Sequence, residues 1–267
     1  QPSELAKFAP VDLLAAKLTT NRENTQRFWR GFLPPMLIAV VFAGLVAAER
    51  DMGVPVLMMA VACTMICVAG VSWKHLIGSL VPLVAIGVGL IVSAPHRIAR
   101  ILAFLNPWDH RENAGWQLIQ SFSAFAQGSV LGRGAGGGEQ KLGYLPAAHT
   151  DFIFAVVGEE MGLLGSLTVV GIFLALIWAG VRIAKHAHDL LGCLLATGIT
   201  ALLGFQAAFI MAVTTGLLPT KGLPLPFVSY GGTALIMCLT MAGVLVNVGV
   251  QAHEAESPRK LVPSTQH

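Results

Sequence analysis

The stretch that decides the fold is residues 190–252, LLGCLLATGITALLGFQAAFIMAVTTGLLPTKGLPLPFVSYGGTALIMCLTMAGVLVNVGVQA, in which Lys221 is the one charged side chain. A helix that crosses a membrane needs about 20 apolar residues, because lipid offers no hydrogen-bond partner to an exposed backbone. Each half of this stretch is long enough for one such helix. The whole chain has the same character, with 55% hydrophobic and 12% charged residues, whereas soluble proteins carry about 25% charged residues. The sequence therefore predicts a membrane protein.

Further stretches upstream meet or approach the length of a membrane span. They are residues 31–48, 52–73, 76–95 and a stretch from about 152 to 181. A seventh candidate, residues 3–18, is weaker because it contains four charged residues and Pro10. Its pattern leaves open whether it lies at the membrane interface or packs among neighbouring helices. We expect an all-α polytopic membrane protein, a helical bundle of about seven transmembrane helices.

The distribution of Lys and Arg predicts the orientation, because short cytoplasmic connections are enriched in these residues. If the segment after Leu18 is cytoplasmic, one side collects Lys17, Arg22, Arg27, Arg30, Lys74, Arg182, Lys185, Arg259 and Lys260. Residues 95–150 then form one large extracytoplasmic loop, in which 96–105 and 116–126 have helical spacing and 131–138 do not. We predict a transmembrane domain over residues 1–252 and a polar cytoplasmic tail over residues 253–267.

Composition and motifs argue against several functional classes. The net charge of +3 comes without a basic run, so a nucleic-acid partner is not expected. The four cysteines lie in apolar runs, which predicts neither a disulfide framework nor a zinc site. Gly132, Gly134 and Gly137 match G-x-G-x-x-G, but no strand precedes them, so we interpret them as close-approaching backbone rather than a nucleotide site.

The boundary between the long loop and the next span carries the most informative polar residue, Asp151. A carboxylate at a helix start often only caps free N–H groups. Here His149 and Thr150 precede it, Lys141 is close in sequence, and an apolar span follows. Partial burial beside such a span raises the pKa of a carboxylate towards that of a useful base. Asp151 is therefore the candidate catalytic residue.

Two further acids, Glu159 and Glu160, fall within the predicted span that follows Asp151. Ionisable groups inside a membrane normally face the bundle interior or a partner. We favour a structural pairing for both over a direct role in catalysis.

A proline-rich segment separates the last two spans. Pro219, Pro224 and Pro226 forbid a continuous helix, and non-helical backbone at membrane depth is tolerated only where it lines protein or a watery cavity. Lys221 within this segment suits an anionic phosphate, with contact to lipid headgroups as the alternative.

Several motifs in order resemble one family along nearly the whole chain. They are QPSELAK (1–7), GFLPP (31–35), WQLIQS (116–121), KLGYLP (141–146), HTDFIFA (149–155) with GEE (158–160), and residues 219–232. The chain resembles the SEDS family (shape, elongation, division and sporulation), membrane glycosyltransferases that polymerise lipid II into glycan strands, and TKGLP (220–224) is closer to its division members. The family has ten spans, and this chain is similar to the fourth through the tenth. Since the chain begins at Gln1 without a Met, we expect a fragment that lacks its natural start.

The resemblance also implies roles for residues. Asp151 corresponds to the family's proposed general base, which would take the proton from the acceptor hydroxyl as undecaprenyl pyrophosphate leaves. Substrate contacts would come from Lys221, Lys141, Gln117, His149, Thr150 and Ser229, and structural support from Glu159, Glu160, Pro224 and Pro226. The sequence shows no metal cage and no organic cofactor site, so any Mg²⁺ or Mn²⁺ would be carried by the substrate diphosphate.

The family resemblance extends to partners and location. It implies a class B penicillin-binding transpeptidase and other division proteins as partners. It also implies the bacterial cytoplasmic membrane, with the active site on the extracytoplasmic side. A lipid II flippase and a division scaffold are the alternative functions.

Overall fold

The computed structural model describes residues 2–48, 53–93, 95–111, 115–134, 136–138 and 150–256. Within these ranges the regular structure is helical. The main helices are α1 (Pro2–Thr20), α2 (Leu33–Ala48), α3 (Gly53–Val68), α4 (Trp73–Val92), α5 (Pro95–Leu105), α6 (Trp116–Gly128), α7 (Ile153–His186), α8 (Leu190–Thr214) and α9 (Gly232–Glu256). The predicted all-α membrane fold is confirmed.

Membrane-spanning character is clearest in four apolar stretches, which are long enough to cross a bilayer: Phe28–Ala48, Ile153–His186, Leu190–Thr214 and Gly232–Ala255. The first of these joins a π-helical turn at Phe28–Phe32 to α2. The apolar helices α3 and α4 correspond to two of the other predicted spans. The protein is therefore a multi-pass membrane protein.

The weak candidate at the start of the chain is a helix packed inside the bundle. One face of α1 is buried through Val11, Leu14, Ala15 and Leu18, each at most 2% exposed. The helix packs against α2, α3 and α8. Of the two positions that the sequence left open, the structure places α1 among its neighbours.

Two hydrophobic clusters fill the bundle. The larger one runs from the ends of α1 and α3 and the start of α8, with Leu18, Val71 and Leu194, to the middle of the helices, with Leu203. The smaller one contains Val46, Val54, Phe154, Ile210 and Leu223, at the end where α2 meets α3 and α7 begins. We call the end of the bundle at Leu18 and Leu194 the basic end, because the connections there carry the described Lys and Arg residues of the predicted cytoplasmic side. The opposite end is the Asp151 end.

The long loop contains the two predicted helices. They are α5 and α6, and residues 131–134 and 136–138 are irregular, as expected. α6 packs along α7 and places Ser121, which is fully buried, where its hydroxyl donates to the carbonyl of Thr214 at the end of α8.

α9 continues through Glu256, four residues past the predicted end of the transmembrane domain at residue 252. This last turn is polar, and its residues 253–255 are exposed. Residues 257–267 lie outside the described residues.

Candidate active site

Asp151 lies in the turn that leads into α7. The N-cap position of that helix is Phe152, whose side chain has no oxygen to accept from the helix. Phe152 is 2% exposed and packs with Ala124, Ala155 and Val213, which fixes the turn against α6 and α8. Asp151 itself is half-buried, at the edge of this apolar cluster.

The proline segment, defined here as residues 215–231 between α8 and α9, is non-helical as the sequence predicted. It runs directly past Asp151. A Cβ built on Gly222 would lie 2.6 Å from Oδ2 of Asp151 and 3.2 Å from its Cγ. The carboxylate therefore rests against the backbone of Gly222, the residue that follows Lys221, and a side chain at position 222 would displace it.

Ser229 joins the proline segment to the Asp151 turn. Its hydroxyl donates to the carbonyl of Thr150 at 2.6 Å and accepts from the backbone N–H of Leu225 at 2.6 Å. One side chain thus satisfies two backbone groups that the prolines and the turn leave without helical partners. Sequence analysis placed Ser229 and Thr150 at one site, and the structure brings them together through this bond.

A second connection comes from the interior of the bundle, where sequence analysis did not look. Gln206 of α8 donates its amide to the carbonyl of Pro224 at 2.6 Å, and Lys7 of α1 donates to Gln206 Oε1 at 3.4 Å. Lys7 is 3% and Gln206 4% exposed. A buried ammonium group is costly unless it is well partnered, so this row of polar groups is an important part of the site.

The signal for Lys7 and Gln206 was present in the sequence. Each is a polar residue at an interior helical position, with Val11 and Leu14 following Lys7 on the buried face of α1. Their significance depends on packing between α1 and α8, which are separated by most of the chain, and local pattern does not encode it.

Glu159 and Glu160 lie beside a break in α7. Gly162 has φ +65° and ψ −160°, and the helix is interrupted there. The carbonyls of Glu159 and Glu160 accept from the N–H groups of Arg133 and Gly134, each at 3.0 Å. The side chain of Glu159 is fully buried, and its Oε2 lies 2.8 Å from a Cβ built on Gly138. Both acids therefore mark the place where the long loop attaches to α7.

The segment that attaches there is called the glycine loop, residues 129–134. Its Ser129 carbonyl accepts from Leu163 N at 3.0 Å and its Val130 carbonyl from Leu164 N at 3.4 Å. Gly132 and Gly134 have φ +79° and +92°. The predicted close backbone approach is confirmed, and the backbone approached is that of α7.

An apolar groove of about 530 Å³ opens beside these elements. Phe125 of α6, Phe154 and Gly158 of α7 and Met211 of α8 line part of its wall. Phe154, in the first turn of α7, is the lining residue nearest to Asp151 in the sequence.

Three other predicted site residues are described by the structure. Lys221 is half-buried next to Gly222, and Pro226 is buried in the same proline segment. Gln117 is half-buried in the first turn of α6. Lys141 and His149 lie outside the described residues. Among the described residues, no group of three or more His, Cys, Asp or Glu side chains is arranged to hold a metal ion.

These features define a class of protein: a multi-pass helical membrane protein with a half-buried carboxylate held against a proline-broken hairpin. The family model described as "Cell cycle protein", for FtsW, RodA and SpoVE, matches residues 1–254. The chain belongs to this family.

Similar proteins include one from Geobacter sp. (strain M18) named "Probable peptidoglycan glycosyltransferase FtsW", which is 46% identical over 96% of this chain and 70% of its own length. A solved chain of a peptidoglycan synthase complex that coordinates polymerization and crosslinking has a TM-score of 0.78 and 28% identity, covering 95% of this chain and 71% of that one. The rod shape determining protein RodA of Thermus thermophilus has a TM-score of 0.62 and 25% identity, over 94% and 65% of the two chains.

Proposed function

We propose that this chain is the catalytic part of a peptidoglycan glycosyltransferase that uses Asp151 as its general base. The observation that carries the proposal is the contact between the Asp151 carboxylate and the backbone of Gly222, directly after Lys221. An acid that accepts a proton and a cation that offsets phosphate charge are then supplied by two segments held together at one end of the bundle. The family membership and the names of the relatives support the same activity.

The chemistry follows from these two groups. Asp151 accepts the proton of the acceptor sugar's 4-hydroxyl as that oxygen attacks the anomeric carbon of a lipid II donor. The bond between the anomeric carbon and the diphosphate oxygen breaks, and undecaprenyl pyrophosphate leaves with the bonding electron pair. General bases of this kind contribute about 10²–10⁴-fold to a rate.

The leaving diphosphate needs positive charge nearby. Lys221 suits this role as a compact cation on the same segment as Gly222. A Mg²⁺ or Mn²⁺ ion carried by the diphosphate would add to it, since Mg²⁺ commonly keeps substrate phosphates and waters as ligands and takes only one or two carboxylates from the protein.

The apolar groove beside Phe125 and Phe154 suits the polyprenyl chain of the substrate. Its lining is predominantly apolar, with Phe125, Phe154 and Leu167 among the lining side chains, as a lipid tail requires. The location that follows is the outer face of the bacterial cytoplasmic membrane, opposite the basic end of the bundle.

The partners that follow from this function are lipid II, a class B penicillin-binding transpeptidase and other division proteins. The likeness to a chain of a peptidoglycan synthase complex supports the transpeptidase.

The test is Asp151→Asn, which keeps the shape of the side chain and removes its basicity. We expect polymerisation of purified lipid II, followed on a gel, to fall by at least ~100-fold. Undiminished polymer would remove the assignment.

A second variant probes the contact itself. Gly222→Ala places a methyl group 2.6 Å from Asp151 Oδ2, and displacing a catalytic group by about 1 Å costs on the order of 10²-fold. Gly232→Ala is the matched control, because a Cβ there has nothing within 4 Å. Equal activity of the two variants would contradict the proposed geometry.

Lipid II transport is a second candidate function, favoured by the non-helical proline segment and the buried Lys7. It predicts that Asp151→Asn stops movement of labelled lipid across a vesicle membrane while polymerisation stays intact. The opposite result supports the glycosyltransferase.

A further inference from the structure

A groove between α7 and α9 lies at the basic end of the bundle, far from Asp151. It has a volume of about 370 Å³. Its lining includes three small residues, Ala179, Gly249 and Ala252, of which Ala252 is buried, and its rim carries Trp178, Arg182, His186 and His253. Ile183 closes the inner side, 3.4 Å from a Cβ built on Gly249. Small residues facing each other leave room that a ligand can fill.

The rim is cationic and aromatic. The guanidinium of Arg182 lies 5.5 Å from the centre of the Trp178 ring, a cation–π contact that holds the charge in place. Nδ1 of His186 lies 2.8 Å from the carbonyl of Arg182. Because a carbonyl only accepts, Nδ1 carries the proton in this bond and Nε2 is the ring nitrogen that remains for a ligand.

The charge around the groove has one sign. Among the described residues that line it, none is acidic. The nearby acids Asp189 and Glu254 line a different groove, with His188 and Gln251. Asp189 also accepts from the N–H of Gly192 at 3.0 Å as the N-cap of α8, so its charge is engaged by that helix.

The depth of the groove matches a lipid headgroup. The groove lies at the last turns of α7, a helix that is long and apolar enough to cross a bilayer, so it lies near one boundary of the membrane. Trp178 is 65% exposed one turn before Arg182, in the position typical of an interfacial aromatic anchor. Arg182 thus lies where lipid phosphates are found.

We propose that this groove binds an anionic phospholipid of the leaflet at the basic end, with Arg182 on the phosphate and Trp178 against the glycerol and upper acyl region. Basic pockets between transmembrane helices recognise such headgroups by charge and shape together. This site is independent of the chemistry at Asp151.

The test uses the purified full chain in detergent, titrated with phosphatidylglycerol or phosphatidylcholine and followed by native mass spectrometry. We expect phosphatidylglycerol to bind at least ~10-fold more tightly than phosphatidylcholine, and Arg182→Gln to lose that factor. Lys185→Gln is the matched control: it removes the same charge three residues away, from a side chain that lines the groove of α3, α7 and α8 instead. It should stay within about twofold of the parent.

A second variant separates binding from folding. Gly249→Leu fills the groove without changing its charge, and a Cβ at this position meets Ile183 only at ordinary contact distance. We expect it to lose phosphatidylglycerol binding while its thermal midpoint in detergent stays that of the parent. Equal binding of the two lipids, parent-like binding by Arg182→Gln or Gly249→Leu, or an equal loss in Lys185→Gln would each overturn the proposal. Displacement of the lipid by millimolar inorganic phosphate would overturn it as well, since the site would then bind phosphate rather than a lipid.

Discussion

The Asp151 end contains two breaks in helical structure, and they are repaired in different ways. At Gly162 the interrupted helix α7 exchanges hydrogen bonds with the glycine loop, backbone to backbone, through Arg133, Gly134, Leu163 and Leu164. In the proline segment backbone bonds among the described residues form only near its two ends, and the Pro224 carbonyl and the Leu225 N–H at its centre are bonded by the side chains of Gln206 and Ser229.

The difference decides what each region tolerates. Bonds between two backbones require only that the chains come close, so their weak points are positions where a Cβ would intrude. Bonds from side chains depend on the identity of a few polar residues, here Gln206 and Ser229. In the proline segment a Cβ is excluded at Gly222 by the Asp151 carboxylate rather than by a second backbone.

The largest loss of stability is expected at Gly162, where α7 is interrupted and bonds to the glycine loop through backbone groups. Gly162→Ala forces a Cβ onto a residue with φ +65°, 2.5 Å from the carbonyl oxygen of Val130. Strain and overpacking together should lower the free energy of unfolding by about 3 kcal/mol or more, read as a drop in the thermal midpoint in detergent.

Gly171→Ala is the control for that measurement. It lies in the same helix with nothing within 4 Å of its Cβ position, so it should be neutral or stabilise by up to about 1 kcal/mol. If the two variants melt alike, Gly162 is not the constraint.

At the proline segment, the contributions of Lys7 and Gln206 to the free energy of unfolding should be coupled. Gln206→Leu removes the donor to Pro224 and one partner of the buried Lys7, so we expect a loss of about 2–3 kcal/mol. Adding Lys7→Met removes the buried charge, and the double variant should be less destabilised than the sum of the two single variants by at least ~0.5 kcal/mol. Gln251→Leu, at an exposed position of α9, should change stability by less than about 0.5 kcal/mol.

If the changes in the free energy of unfolding for the Lys7 and Gln206 substitutions were additive, the two residues would not be energetically coupled. The buried polar groups would then not act together in stabilising the proline segment.

The smallest effect is expected for Ser229→Ala, which leaves the Thr150 carbonyl and the Leu225 N–H each short of one partner. A cost of about 1–2 kcal/mol follows, together with reduced lipid II polymerisation. Ser79→Ala is the comparison, because the Ser79 hydroxyl only donates to Leu76 within its own helix. If activity falls equally in both, Ser229 has no special link to the Asp151 turn.

Local pattern predicted most of the fold. Apolar length and the low share of charged residues predicted the membrane class, and helical spacing predicted α5 and α6 within the long loop. Prolines 219, 224 and 226 predicted the non-helical segment because each removes a donor and fixes φ. The break at Gly162 was not predicted, since a single glycine inside an apolar run has no local signature.

The candidate site was only partly visible in the sequence. Asp151, Thr150, Lys221 and Ser229 stand out as polar residues at the ends of apolar runs. Whether Glu159 and Glu160 act only structurally stays a prediction, as do the roles of Lys141, His149 and Gln117. The positioning of Gly222 against Asp151 could not be foreseen, because it depends on packing between segments about 70 residues apart in the chain.

The bond from Ser229 to Thr150 spans 79 positions in the sequence, and its consequence concerns biosynthesis. A ribosome delivers Asp151 to the membrane well before the proline segment emerges, so the carboxylate is at first without the residues that surround it. The site is complete only after the proline segment has been translated. A nascent chain stalled after α8 would contain Asp151 but would lack the proline segment that completes the site.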